Sequence, residues 1–320
     1  MKIAIAGGAG YTGGELIRLL IAHPHTHITQ VLSQSQAGKP LAEVHQDLEG
    51  MTDLNFTSRL NDQFDALFLC MGHGRSGQFL KDHPIPEGKI IIDLSNEFRF
   101  SDPTHDYIYG LPEWQRDKIK NSRRIANPGC FATGIQLALL PLAKAGLLKG
   151  DITATSITGS TGAGLRPGPT THFSWRNNNL SIYKLGTHQH IPEVYQSARD
   201  LQPGFEEEIY MVPVRGDFPR GIFSSILTSC ELTEQELDDL YREYYTPHPF
   251  TIVTQQEVDL KRVVNTNRAY LRVEKIKNKV HITSTLDNLL KGASGQAVQN
   301  LNLIAGWDET TGLLLKPTVY

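Results

Sequence analysis

The feature that most constrains this chain lies at its start, where Lys2-Ile3-Ala4-Ile5-Ala6 runs into Gly7-Gly8-Ala9-Gly10-Tyr11-Thr12-Gly13-Gly14. The residues that follow, Glu15 to Ile21, place their apolar side chains on one helical face, so the segment reads as strand, glycine turn, helix. Glycines at 7, 10 and 13 permit a tight turn, close approach of a pyrophosphate to the backbone, and close packing of the helix, with the phosphates at the helix N-terminus. The spacing is GxxGxxG, a variant of the dinucleotide-binding fingerprint. Gly7, Gly10, Tyr11, Thr12 and Gly13 are therefore candidate cofactor residues. A plain glycine turn has the same composition, and the position at the head of a strand-helix unit is what favours the cofactor.

Strand and helix patterns continue to alternate. Residues 27–32 read as the next strand, and 65–70 and 89–94 include continuous apolar runs, as expected of parallel strands buried on both faces, with a crossover helix over 76–82. These patterns predict an α/β fold with a Rossmann-type doubly wound parallel sheet. An NAD site usually carries an acidic residue after the second strand, but Ser33-Gln34-Ser35-Gln36-Ala37-Gly38-Lys39 has none. Ser33, Ser35 and Lys39 suit a 2′-phosphate, so the expected cofactor is NADP. From about 150 to 290 the strands alternate instead, as in 269–274 and 280–284, which predicts a second, α+β domain with a largely antiparallel sheet. Thr233 to Glu236 form a capping box for a helix over 234–245. The expected division is a dinucleotide-binding domain of residues 1–129 with about 290–320, and a catalytic and dimerisation domain of 130–289.

At that division stands Asn127-Pro128-Gly129-Cys130, followed by apolar residues at helical spacing. Cys130 thus falls near a helix N-terminus, where unpaired N–H groups favour a thiolate. The competing reading is a small buried apolar residue. Cys70, Cys130 and Cys230 are far apart and odd in number, which predicts free thiols in a reducing cytoplasm and no paired zinc spacing. His188 and His190 alternate ahead of Pro192-Glu193. A zinc site would want more ligands nearby, whereas a general acid/base needs one imidazole and a group such as Glu193 to orient it. Arg99 and Arg220 are candidates for holding anionic groups, and Asn127, beside the nucleophile, and Glu193 are counted with them as substrate-binding candidates. The net charge of −3, without blocks of Lys or Arg, argues against nucleic-acid binding. No apolar run approaches the ~20 residues that span a bilayer.

Taken in order, eight segments of this chain resemble the N-acetyl-gamma-glutamyl-phosphate reductases of arginine biosynthesis, relatives of the aspartate-semialdehyde dehydrogenases. They are GGAGYTGGELIRLL, IDLSNEFR, YGLPE, ANPGCFATG, SITGSTGAG, HQHIPE, RGDFPRGIF and DNLLKGASGQAVQNLNL, spread over essentially the whole length. The resemblance implies NADPH-dependent reduction of an N-acyl-glutamyl phosphate to the semialdehyde through a thioester on Cys130. It places the acid/base at the histidine pair, with His188 preferred and His190 retained, and adds Gly162 and Asn288 to the cofactor residues. A small-molecule substrate, a homo-oligomer (dimer or tetramer) and a cytoplasmic location are also implied. Gln189 and Ile191 stand where many members read HRHTPE, Phe131-Ala132 where many read Tyr-Pro, and residues 168–179 differ from the common pattern. These departures bear on acyl specificity, with N-acetyl and N-succinyl groups both to be tested. Two enzyme alternatives share the chemistry, on aspartyl or aminoadipyl phosphate. A third alternative is a non-catalytic NADP-binding sensor. A short-chain reductase is disfavoured, because no tyrosine has a lysine four positions on.

Overall fold

The computed structural model describes residues 1–319, which divide into two compact units, 1–128 with 293–314 and 129–292 with 315–319. The first unit contains β1 (Lys2–Ala6), α1 (Tyr11–Ile21), β2 (His27–Leu32), α2 (Leu41–Val44), β3 (Phe56–Thr57), β4 (Ala66–Leu69), α3 (Ser76–Asp82), β5 (Ile90–Asp93), β6 (Ile108–Tyr109), α4 (Pro112–Lys120) and β7 (Arg124–Ala126). Its sheet has the order β3-β2-β1-β4-β5-β7-β6 with every pairing parallel. The central strands β1, β4 and β5 are almost wholly buried, which accounts for their unbroken apolar sequence. The expected Rossmann-type sheet is present.

The second unit opens with α5 (Cys130–Lys144) and continues through β8 (Lys149–Thr158), α6 (Phe173–Arg176), β9 (Ser181–Ile182), α7 (Ile191–Leu201), β10 (Ile209–Arg215), β11 (Ile222–Ser229), α8 (Glu234–Tyr245), β12 (Thr251–Val253), β13 (Ala269–Ile276) and β14 (Lys279–Leu286). The chain then passes through a π-helical turn, Leu290–Ser294, and returns to the first unit in α9 (Gly295–Ala305). The sheet order is β12-β13-β14-β11-β8-β10-β9, antiparallel except at β8–β10 and β12–β13. This is the expected largely antiparallel sheet. The capping box is formed at Thr233 and Glu236, and its helix spans the expected residues. The strands β3, β6, β9 and β12 have only two or three residues each, too few to display a period in the sequence.

Helix α5 is buried along nearly its whole length, and small residues let it lie close to the sheet. A Cβ on Gly134 would meet Ser284 Oγ at 3.6 Å and Ser224 Oγ at 3.8 Å. Pro141 lies inside this helix, so the carbonyl four residues back, at Leu137, has no intrahelical N–H to accept. The Tyr245 hydroxyl donates to that carbonyl, and the Tyr241 hydroxyl donates to Ala138 O at 2.5 Å. Helix α8 thereby satisfies the carbonyl that the proline leaves open. Tyr245→Phe strands a buried carbonyl and should lower stability by ~1–3 kcal/mol in denaturant titration. A change below a few tenths would mean that the carbonyl has another partner.

Candidate active site

Cys130 occupies the first position of α5, behind Gly129 as N-cap, with no side-chain cap and no acidic residue in the first turn. The thiol is partly exposed, so the positive end of the helix acts on a group that a reagent can reach. Its approach is held by α7. The Gly129 N–H donates to Glu193 Oε2 at 2.9 Å, and Gln136 Nε2 donates to Glu193 O at 2.9 Å and to Ser197 Oγ at 3.1 Å. Glu193 is fully buried, and its carboxylate holds the cysteine turn through Gly129.

Glycine is required at 129 because a Cβ there would lie 2.4 Å from His190 Nε2 and 2.8 Å from Glu193 Oε1. An imidazole nitrogen and a carboxylate oxygen thus both press on the residue that immediately precedes the cysteine. Gly292 closes another side, since its Cβ would come within 2.8 Å of Cys130 Cβ and 3.2 Å of Asp287 O. Asp287 in turn holds Arg220, with Nη2 at 3.0 Å from Oδ2.

The two histidines have different surroundings. The His190 backbone N–H donates to His188 Nδ1 at 3.2 Å, so the neutral His188 ring carries its proton on Nε2. His188 packs edge-on to Phe131, Tyr183 and His190, with centroids at 5.3, 5.8 and 4.6 Å. Burial first, then the charges of Lys184 and Arg215, lower its pKa to about 4. His188 is therefore a neutral donor at pH 7, and the ring lying against Gly129 and Glu193 is that of His190. Of the two histidines expected at the acid/base position, His190 is the one that adjoins the residue before the cysteine.

The depressed pKa has a consequence for stability. Between pH 6.5 and 4 the unfolded chain protonates this histidine while the folded chain does not, so stability falls as pH falls through that window. His188→Gln removes the effect. The stability lost between pH 7 and 5 should be smaller in the variant than in the parent by roughly 1–2 kcal/mol. Equal losses in the two proteins would show that His188 titrates normally.

Three neighbours were not anticipated from sequence. The Arg215 guanidinium lies over the Tyr183 ring at 4.3 Å. Tyr183 has its pKa pushed up to about 12, by burial first and then by the charge of Cys130, with Arg215 opposing. Lys184 sits beside it in the left-handed region at φ 47°. Arg215 opens the RGDFPRG motif and Tyr183 lies in the segment before HQH, but only the β9–β10 pairing that sets Ser181 opposite Arg215 brings them together.

Other expected residues have structural partners. Arg99 is buried and donates from Nε to Asn127 O at 2.9 Å and from Nη2 to Leu94 O at 3.3 Å. Asn127, also buried, donates to Ala293 O at 3.0 Å. Both brace the first unit through these bonds. Asn288 accepts from Gly221 N at 2.7 Å and donates to Thr161 Oγ1 at 3.0 Å, tying two loops of the second unit together. Gly162 lies in the Ser160–Ala163 turn of the same unit.

The glycine turn suits a dinucleotide. Gly7 has φ 84°, and a Cβ on it would strike the Cys70 carbonyl at 2.6 Å. A Cβ on Gly13 would strike Gly7 O, also at 2.6 Å. Helix α1 starts at Tyr11 without a side-chain cap or an acidic residue in its first turn, which leaves the N–H groups of Tyr11, Thr12 and Gly13 for phosphate. Ser33 and Ser35 stand after β2 with their hydroxyls 3.5 Å apart.

Comparison with known proteins agrees with this architecture. Residues 2–122 match the family described as semialdehyde dehydrogenase, NAD binding domain, and residues 130–288 match semialdehyde dehydrogenase, dimerisation domain. Proteins named N-acetyl-gamma-glutamyl-phosphate reductase from Parabacteroides distasonis and Phocaeicola vulgatus are each 52% identical to the chain, and one from Bacteroides thetaiotaomicron is 51% identical, with 100% of both chains covered in each case. Among solved structures, aspartate semialdehyde dehydrogenase II from Vibrio cholerae superposes with TM-score 0.72 at 15% identity, over 95% of this chain and 98% of that one. Aspartate semialdehyde dehydrogenase with NADP from Candida albicans superposes with TM-score 0.70 at 14% identity, with the same coverage. These structures share the fold.

Proposed function

The chain belongs to the semialdehyde dehydrogenase family, among its N-acetyl-gamma-glutamyl-phosphate reductases, and we propose that it reduces an N-acyl-L-glutamyl 5-phosphate to the 5-semialdehyde through a thioester on Cys130. The observation that carries this reading is the partly exposed cysteine at the head of α5 with His190 and Glu193 packed on the residue before it.

The Cys130 sulfur attacks the γ-carbonyl carbon. A C–S bond forms, the C–O bond to phosphate breaks, and phosphate leaves with the electron pair. NADPH, when bound by the glycine turn with Ser33 and Ser35 toward its 2′-phosphate, supplies the hydride that reduces the thioester carbon. His190 donates a proton to the carbonyl oxygen as charge develops there. It takes that proton back as the C–S bond breaks, the sulfur leaving with its electron pair. Glu193 holds the turn, and neutral His188 supplies a fixed Nε2–H. Arg220, held by Asp287, is assigned to the phosphate.

Arginine biosynthesis is the pathway that this activity serves, in a reducing cytoplasm that keeps three thiols free. Self-association as a dimer or tetramer is assigned to residues 130–288. The reading is tested by phosphate-dependent oxidation of N-acetyl- and N-succinyl-glutamate semialdehyde with NADP, compared side by side. Turnover of at least one is expected, and turnover of aspartate semialdehyde alone would overturn the assignment.

A further inference from the structure

We propose that Arg215 and Lys184 form a receptor for a carboxylate of the acyl-amino-acid substrate and so determine which substrates the site accepts. The inference rests on the site reading above and assigns residues that no motif predicted. Four groups stand in series from the nucleophile. Phe131 follows Cys130 in α5, its ring meets that of His188, His188 meets Tyr183, and Tyr183 lies under Arg215. Arg215 therefore points its guanidinium into the surroundings of the cysteine. Its Nε is buried and has no hydrogen-bond partner, a donor left open in a place where an open donor is costly.

The surrounding structure holds Arg215 in this position. Arg176 donates from Nη1 to Arg215 O at 2.7 Å and to Asn179 O at 3.1 Å, and from Nη2 to Ser181 Oγ at 2.9 Å. Two cations thus lie close together, Arg176 at the end of α6 and Arg215 at the end of β10, with the main chain of the second fixed by the first. The acid closest in sequence, Asp217, is turned away and accepts from Asn178 N at 2.6 Å. Lys184 is exposed and adopts φ 47° between β9 and the histidine turn, a conformation of appreciable cost for a residue with a Cβ. Both cations bear on His188. Arg220, paired with Asp287, is assigned to the phosphate, which leaves Arg215 and Lys184 as the charges suited to a second anionic group, a carboxylate. A planar guanidinium held on an aromatic face fits a carboxylate edge-on.

The carboxylate has two possible sources, the α-carboxylate of the glutamyl unit or one carried by the N-acyl group. Calorimetric titration of the protein with N-acetyl-L-glutamine, which carries only the former, and with N-succinyl-L-glutamine, which carries both, separates them. Arg215→Met should weaken binding of at least one ligand by about 10–100-fold. Lys184→Met should weaken the same ligand to a smaller degree, and Arg215→Lys should recover part of the loss. An equal loss for both ligands identifies the α-carboxylate, and a loss confined to the succinyl ligand identifies the acyl carboxylate. In the oxidation assay the KM for semialdehyde should rise correspondingly while that for phosphate stays within about twofold. Binding of both ligands unchanged in Arg215→Met, with its melting temperature intact, would overturn the proposal and leave the cysteine mechanism standing. A rise confined to the phosphate KM would overturn it as well. Absence of turnover with either semialdehyde in the unsubstituted protein would instead remove the site reading.

Discussion

Cys130→Ala should lower turnover by ~10⁴-fold or more while the affinity for NADPH stays within about twofold. The expectation follows from the division of labour within the chain. The glycine turn that suits the cofactor belongs to residues 1–128, and the cysteine opens the first helix of residues 129–292. Without the thiol there is no thioester, and the remaining groups can only hold substrate. Cys130→Ser keeps the size of the side chain but offers a hydroxyl whose anion is far less accessible at neutral pH, so it should be nearly as inactive. Fluorescence titration with NADPH and a steady-state assay of each variant provide the two readouts. Substantial turnover by the alanine variant would rule out covalent catalysis. Alkylation should also discriminate among the three cysteines. Cys130 is partly exposed at a helix start, whereas burial first and then the nearby Asp93 charge push the Cys70 thiol far up, with a hydrogen bond to Thr12 opposing them.

The second large effect is expected at His190. His190→Asn should cost ~10²–10⁴-fold in kcat, the usual magnitude of a lost general acid/base, and should change the pH profile of the reaction. His188→Gln preserves an amide N–H in place of the Nε2–H and should cost far less, without moving the profile between pH 5 and 7, because His188 is already neutral there. The two substitutions separate a proton carrier from a fixed donor. A profile altered by His188→Gln but not by His190→Asn would reverse the assignment.

Sequence patterns disclosed those parts of the protein whose physics is local. The glycines at 7, 10 and 13 are legible because each answers a backbone requirement that no other residue meets, and the structure shows the same collisions at Gly7 and Gly13. Continuous apolar runs identified the parallel strands, alternation identified the hairpin of β13 and β14, and the capping box identified the start of α8. The order of the two histidines was not legible. What distinguishes them is that His188 Nδ1 accepts from the main chain two residues on, while the His190 ring lies on Gly129, some sixty positions away in sequence. Arg215 escaped notice for a similar reason. Its significance comes from strand register, which sets it opposite Ser181 and over the Tyr183 ring, and a two-residue strand such as β9 leaves no periodic trace. Arg99 and Asn127 lay in the expected motifs, yet their hydrogen bonds are turned inward to carbonyl groups.

The central claim is a covalent acyl group on Cys130, and the most direct test is to withhold phosphate. Mixing the enzyme with NADP and the N-acyl-glutamate semialdehyde in phosphate-free buffer should produce a burst of about one NADPH per subunit and then stop, because the thioester has no acceptor. Peptide mass spectrometry of the stalled enzyme should place the added acyl mass on Cys130, and addition of phosphate should discharge it and restore turnover. A phosphate-free burst with no adduct on Cys130, or an adduct on another residue that phosphate discharges at the catalytic rate, would contradict the account.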